Sequence, residues 1–189
     1  MALILHLSDF HLGKNFTLEK SKFNSLAKWI VDSGIQVKYL IFTGDVIDAR
    51  VISKKCIIDM VKAHLDEYKD IDVSKIDDNI GLYIEKIKLN GQTHIDEYNS
   101  LLKRIYSENL NKAKDILISF IGEIGVSFDR VIMCCGNHDR IRKLSAGETM
   151  FSCSENNINE SDFLEDFEPY NAFCSSINGK LSYNTNTYK

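Results

Sequence analysis

The chain has 189 residues, of which 44% are apolar and 26% charged, and its formal net charge is −4. This composition is typical of a soluble globular protein with its own core. The negative net charge excludes an overall positive field that would attract nucleic acid. The sequence contains no run of ~20 apolar residues that would span a bilayer. The N-terminal apolar run is too short for a signal peptide, and the five cysteines include the adjacent pair Cys134 and Cys135. These features predict reduced thiols, a cytoplasmic location and no membrane partner.

The first third of the chain predicts a strand, a helix and a second strand. Residues 3–7 form a short apolar run typical of a strand covered on both faces, and residues 18–32 carry apolar side chains at helical spacing. Thr17 is the expected N-cap of this helix, and Gly34 stands where a C-terminal glycine cap belongs. Residues 39–42 form a second apolar run, so the order indicates a parallel α/β sheet.

A long segment, residues 50–125, separates the second strand from the third and is predicted to be mainly helical. Residues 53–68 have helical spacing, whereas residues 70–79 are acidic and without a pattern, which predicts a loop. Residues 82–89 fit either a strand that enters an Asn-Gly turn or a short helix that stops at Gly91.

The remaining elements follow from Thr93 onwards. Thr93 is an expected cap for a helix that runs to about residue 121, and residues 130–135 predict the third strand. Residues 145–162 are polar and predict a loop. Residues 163–173, which contain the only proline, predict a short helix.

Three clusters of residues that bind metals or move protons follow the three predicted strands: Asp9-Phe10-His11, Gly44-Asp45-Val46-Ile47-Asp48 and Gly136-Asn137-His138-Asp139-Arg140. An open α/β sheet binds ligands beyond the C-terminal ends of its strands, so the clusters are expected to form one site. Carboxylate, amide and imidazole donors together suit Mn, Fe or Zn rather than Ca. Two such ions can clamp a phosphoryl group and activate a water molecule.

The order of these clusters resembles the first three motifs of the calcineurin-like metallophosphoesterases. The resemblance covers residues 2–50 and 125–145. It implies an α/β fold, specifically the N-terminal half of an α/β/β/α sandwich, with a mainly parallel sheet flanked by helices and an incomplete second sheet. Residues 1–189 would then be a single, truncated metallophosphoesterase domain.

The resemblance also implies a set of metal ligands. Asp9 and His11 would bind a first divalent ion, Asp45 would bridge two ions, and Asn137 would bind the second. Mn is the expected metal, with Fe or Zn as alternatives, and the set would be incomplete because the family adds further histidines. None of the five histidines follows His138.

The catalytic residues implied by the resemblance are His138, Asp139 and Arg140. His138 would protonate the leaving group or stabilise the transition state, Asp139 would orient His138, and Arg140 would approach the phosphate. Asp48 is expected to be a supporting acid. Of the other histidines, His6 is expected to be buried in the first strand, whereas His64 and His94 are expected at the surface.

Two functions from different classes are therefore expected. The first is a divalent-metal-dependent phosphoesterase that hydrolyses a phosphomonoester or phosphodiester by metal-activated water. Residues 4–14 resemble the start of the repair-nuclease branch, which makes nucleic acid a candidate substrate. The second is a catalytically incomplete interaction or regulatory module. In either case a homodimer or a missing C-terminal half would cover the unfinished sheet, and a second chain could supply metal ligands.

Overall fold

The computed structural model describes residues 3–69, 72, 74, 80–136, 138–139, 141–144, 163–166, 168–177 and 180–181. Within them the chain is a mixed α/β protein. Its helices are α1 (Phe16–Asp32), α2 (Ala49–Ala63), α3 (Ile80–Leu89), α4 (Gln92–Glu123) and α5 (Glu168–Ser176). Its strands are β1 (Leu3–Leu7), β2 (Val37–Phe42), β3 (Val131–Met133), β4 (Ile141–Leu144), β5 (Phe163–Asp166) and β6 (Lys180–Leu181). No helix in the described part of the chain combines the length and the apolar composition that a bilayer crossing requires.

Four strands form one parallel sheet in the order β1-β2-β3-β6, as the sequence predicts for the first three. Leu3 to Leu7 pair with Val37 to Phe42, and Leu40 to Phe42 pair with Val131 to Met133. β4 and β5 form a separate antiparallel pair. The parallel sheet is confirmed, whereas the α/β/β/α sandwich stays a prediction.

The two faces of the parallel sheet differ in burial. Leu40, Phe42 and Met133 are fully buried on one face, where the ring of Phe42 lies 5.8 Å from that of Phe10. On the other face Ile4 and Tyr39 are neighbours and are 61% and 39% exposed. For the described residues, the expectation that the first strand is covered on both faces is therefore wrong, because Ile4 of β1 and its neighbour Tyr39 of β2 are exposed on one face. The partner expected to cover that face stays a prediction.

The chain divides into two compact units. The first contains residues 1–49, 107–140 and 167–189, and the second contains residues 50–106 and 141–166. In the first unit, the rings of Phe10, Phe23 and Phe120 follow one another at centroid distances of 4.8 and 5.2 Å. In the second unit, three helices contribute buried side chains that include Ile57, Met60, Tyr83, Ile84, Ile87, Tyr98 and Leu102.

Several predicted boundaries change for local physical reasons. Asn15, not Thr17, caps α1, because its side chain accepts the N–H of Leu18 at 3.1 Å. Residues 82–89 are helical, since burial of Tyr83, Ile84 and Ile87 follows one helix face. Gly91 lies two residues beyond the end of this helix.

The other differences concern the ends of elements. The helix predicted over residues 53–68 is observed as Ala49–Ala63, and the third strand is three residues long. The helix predicted over residues 163–173 is wrong in its first part, because residues 163–166 pair with β4 as a strand. Cross-strand pairing thus outweighs the local pattern there. The predicted loop 145–162 and most of 70–79 lie outside the described residues.

Candidate metal centre

Asp9 and His11 follow the end of β1 and lie on either side of Phe10, whose half-buried ring anchors the loop. The ring of Phe10 packs against Phe23 and Phe42, with centroid distances of 4.8 and 5.8 Å. The backbone N–H of His11 donates to the carbonyl of Asp45 at 2.9 Å, and that of Asp9 donates to Gly44 at 3.4 Å. The aromatic residue between the two polar ones therefore fixes the loop in the core, and the backbone bonds hold it beside the loop after β2.

The loop after β3 is tied to the same place by the carboxylate of Asp45. Its Oδ1 accepts the backbone N–H of His138 at 2.9 Å, and the carbonyl of His138 accepts the N–H of Ala49 at 3.0 Å. The bond between Asp45 and His138 joins residues 93 positions apart in the chain. Three of the predicted polar clusters therefore meet beyond the C-terminal ends of β1, β2 and β3. Asn137 and Arg140 lie outside the described residues.

Two glycines make this close approach sterically acceptable. A Cβ atom at Gly44 would lie 2.4 Å from the backbone nitrogen of Gly136 and 2.5 Å from its Cα. A Cβ at Gly136 would lie 2.2 Å from Oδ1 of Asp45. Gly44 also has a φ of 95°, a region that side chains disfavour. The loops after β2 and β3 can meet only because neither position carries a side chain.

The backbone is strained at three of the predicted metal ligands. Asp9, His11 and Asp45 have φ values of 58°, 48° and 53°, and they are the non-glycine residues with positive φ in the described part of the chain. Such conformations cost about 1–3 kcal/mol each and are concentrated at functional sites. The strain coincides with the residues that the sequence singles out for metal binding.

The side chains form two overlapping groups whose ligand atoms lie within 4.8 Å of one another. One group contains Asp9, His11 and Asp45, and the other contains His11, Asp48 and His138. The rings of His11 and His138 meet edge to face with centroids 4.8 Å apart. Carboxylate oxygens mixed with imidazole nitrogens suit Mn, Fe or Zn.

His11 provides a direct test of whether these residues fit a metal ion. Its Nδ1 atom is buried and has no hydrogen-bond partner among the described residues. A buried nitrogen without a partner costs free energy, and a bound cation would satisfy it. The carboxylates of Asp9 and Asp45 in the same group supply the negative charge that such a cation needs. The residues present therefore fit a divalent metal.

Asp139 is fully buried and its carboxylate holds two loops together. Oδ1 accepts the N–H of Ile47 at 2.8 Å, and Oδ2 accepts the N–H of Gly136 at 2.9 Å. Burial raises the pKa of this carboxyl to about 7; the two backbone hydrogen bonds oppose the rise, and the nearby Asp45 adds to it. Asp139 thus bridges the loops after β2 and β3.

We expect Asp139→Ala to lower the free energy of unfolding by about 2–4 kcal/mol, because it leaves the N–H groups of Ile47 and Gly136 without their acceptor. Urea denaturation measures this change. Asp115→Ala, at an exposed position of α4, is the matched control and should stay within about 0.5 kcal/mol of wild type. An Asp139→Ala chain as stable as this control would contradict the bridging role.

Asp48 is the carboxylate that the structure places beside the imidazole of His138. It is buried, and its Oδ1 lies 3.8 Å from Nδ1 of His138. The sequence assigns Asp48 only a supporting role, whereas its position makes it a candidate metal ligand or the charge partner of His138. The signal in the sequence was that Asp48 follows Asp45 by three residues. This spacing did not indicate which way the Asp48 carboxylate points.

The expected environments of the other three histidines are wrong. His6 is exposed rather than buried, and its Nε2 lies 2.6 Å from the hydroxyl of Thr43. It lies on the same face of the sheet as the exposed Ile4. His64 and His94 are half-buried in the second unit rather than at the surface, and each lies beside a carboxylate.

Comparisons with known proteins add no relative to this picture. No protein-family model matches the chain, and neither the curated proteins nor the solved structures contain a significant match.

Proposed function

We propose that this chain is a divalent-metal-dependent phosphoesterase of the calcineurin-like kind, in an α/β/β/α fold of which it carries the N-terminal half. The observation that carries the proposal is the coincidence of backbone strain and ligand chemistry at Asp9, His11 and Asp45. Strain at these three residues persists only if the surroundings impose it, and a purely structural loop has no need of it.

Three side chains would hold the first ion. Asp9 and Asp45 supply carboxylate oxygens, and His11 supplies a nitrogen that has no partner among the described residues. A divalent ion at this place stabilises negative charge on phosphoryl oxygens and lowers the pKa of water. Asp45 also fixes the backbone of His138. The same carboxylate would therefore position both the cation and the imidazole.

His138 would act on the leaving group of the substrate. Its ring lies 4.8 Å from that of His11, and its Nδ1 lies 3.8 Å from Oδ1 of Asp48. A protonated imidazole can donate its proton to the oxygen that departs from phosphorus. Phosphodiesters are the first substrate class to test, because residues 4–14 resemble the repair-nuclease branch.

The proposal is tested by Mn²⁺-dependent hydrolysis of bis(4-nitrophenyl) phosphate, with 4-nitrophenyl phosphate as the monoester. We expect His138→Gln to lower kcat by about 10²–10⁴-fold, the usual loss for a general acid, with little change in Mn²⁺ affinity. His6→Gln is the matched control because His6 is exposed and contacts Thr43.

Two results would contradict this proposal. A large loss of Mn²⁺ affinity in His138→Gln would make His138 a ligand rather than the acid. Absence of hydrolysis of both esters by the wild-type chain with Mn²⁺, Fe²⁺ or Zn²⁺ would favour the second candidate, an incomplete module that retains the fold. That candidate is supported by the size of the ligand group, because the described residues bring together three side chains, Asp9, His11 and Asp45, for a first ion.

A further inference from the structure

A five-residue pattern occurs twice in the chain, thirty residues apart. His64-Leu65-Asp66-Glu67-Tyr68 follows α2, and His94-Ile95-Asp96-Glu97-Tyr98 lies in the first turns of α4. The two segments differ only in Leu against Ile. In each, the histidine and the glutamate are three residues apart, a spacing that places both on one side of a helical turn.

The two copies pair reciprocally in the structure. Nε2 of His64 lies 2.8 Å from a carboxylate oxygen of Glu97, and Nε2 of His94 lies 3.0 Å from one of Glu67. The other oxygen of Glu67 lies 3.8 Å from Nδ1 of His64. The two imidazole rings are 4.9 Å apart between centroids. Two histidines and two glutamates thus form one cluster within the second unit.

The surroundings hold His94 in the orientation typical of a metal ligand. Its Nδ1 lies 3.0 Å from the hydroxyl of Tyr68, and its side chain is only 12% exposed. A histidine that binds a metal through one nitrogen generally makes a hydrogen bond through the other, which fixes the ring. Tyr68 occupies that position here and is itself buried. Nε2 of His94 then faces the carboxylate of Glu67 at 3.0 Å.

The distances between the ligand atoms are compatible with one tetrahedrally coordinated ion. Ligand atoms of His64, His94 and Glu97 lie within 4.8 Å of one another. Zinc binds histidine nitrogen and carboxylate oxygen at about 2.0–2.2 Å, so neighbouring ligand atoms in a tetrahedral site are about 3.4 Å apart. Small rotations of the partly exposed His64 and Glu97 side chains would reach that spacing.

We propose that His64, His94, Glu97 and Glu67 form a structural Zn²⁺ site that links the end of α2 to the start of α4. Two imidazoles and two carboxylates fill the four positions of a structural zinc ion and neutralise its charge. The site shares no residue with the group of Asp9, His11 and Asp45. The zinc proposal can therefore be tested independently of the proposed phosphoesterase function.

The test is Zn²⁺ binding by calorimetry, with Co²⁺ absorption in the visible region as a report on tetrahedral geometry. The variants are His64→Gln and Glu97→Gln, which change partly exposed side chains and are not expected to prevent folding. Loss of an outer partner of a metal ligand usually weakens affinity 10–100-fold, so loss of a ligand should weaken one Zn²⁺ site by at least about 100-fold. We expect both variants to lose this site.

Two controls separate this site from the other group. His6→Gln removes an exposed histidine outside both groups and should bind Zn²⁺ as wild type does. Asp45→Asn impairs the Asp9 group and should retain the tetrahedral Co²⁺ spectrum, whereas Asp45→Asn combined with His94→Gln should lose it. Unchanged Zn²⁺ affinity and stoichiometry in both His64→Gln and Glu97→Gln would overturn the proposal. Equal weakening in His6→Gln would also overturn it.

Discussion

Asp45→Asn should weaken Mn²⁺ binding by at least about 100-fold and remove phosphodiester hydrolysis with it. The asparagine has nearly the same size, and its amide oxygen can still accept the N–H of His138, which now donates to Asp45 at 2.9 Å. The substitution therefore removes the negative charge and leaves the loop after β3 in place. Calorimetric titration with Mn²⁺ measures the affinity, and urea denaturation checks that the chain stays folded.

The matched control for this substitution is Asp32→Asn. Asp32 is an exposed acid at the end of α1, so its loss changes the net charge equally without touching the site. Mn²⁺ binding should be the same in this variant as in wild type. If Asp45→Asn and Asp32→Asn bound Mn²⁺ equally well, Asp45 would not be a ligand, and the proposed metal centre would have to be abandoned.

Gly44→Ala should have the largest effect on stability, a loss of about 3–5 kcal/mol in the free energy of unfolding. The new Cβ would lie 2.4 Å from the backbone nitrogen of Gly136, an overlap that only a backbone shift can relieve. The φ of 95° adds a conformational penalty for any side chain. Because the shift would separate the loops that carry Asp45 and His138, Mn²⁺ affinity should fall as well.

Gly122→Ala is the control for this substitution. Gly122 lies in the last turn of α4, and a Cβ there would meet no heavy atom within 4 Å. Alanine has the higher helix propensity, so this variant should be about 0.5 kcal/mol more stable than wild type. Urea denaturation of the two variants side by side gives both values. A Gly44→Ala chain of wild-type stability would show that the loops do not approach as described.

The elements that the sequence predicted correctly are those with a strong local pattern. Short apolar runs predicted β1 and β2, and helical spacing predicted α1 and most of α4. The helix predicted at residues 163–166 is wrong because a tertiary contact, the pairing with β4, decides the conformation there rather than the local pattern. The predicted cap of α1, Thr17, is two residues from the observed cap, Asn15. The local pattern did not separate them because both residue types cap helices.

The sequence by itself determined that three polar clusters follow three strands of a parallel sheet, because strand periodicity and connection order are local properties. Only the tertiary structure decided how the clusters meet. The bonds from Asp45 to His138 and from Asp139 to Ile47 join residues 93 and 92 positions apart. Asp48 and His138, whose side chains are neighbours, are also far apart in the sequence. Packing of the whole unit, and not any local pattern, fixes such distances.

The same division explains the second histidine cluster. The repeated pattern at His64 and His94 is visible in the sequence, and its three-residue spacing predicts that histidine and glutamate share a face. The reciprocal pairing of the two copies is not visible in the sequence, because it requires the turn after α2 and the start of α4 to pack together within the second unit. The sequence determines the chemistry that each segment offers, and the tertiary fold decides which segments become neighbours.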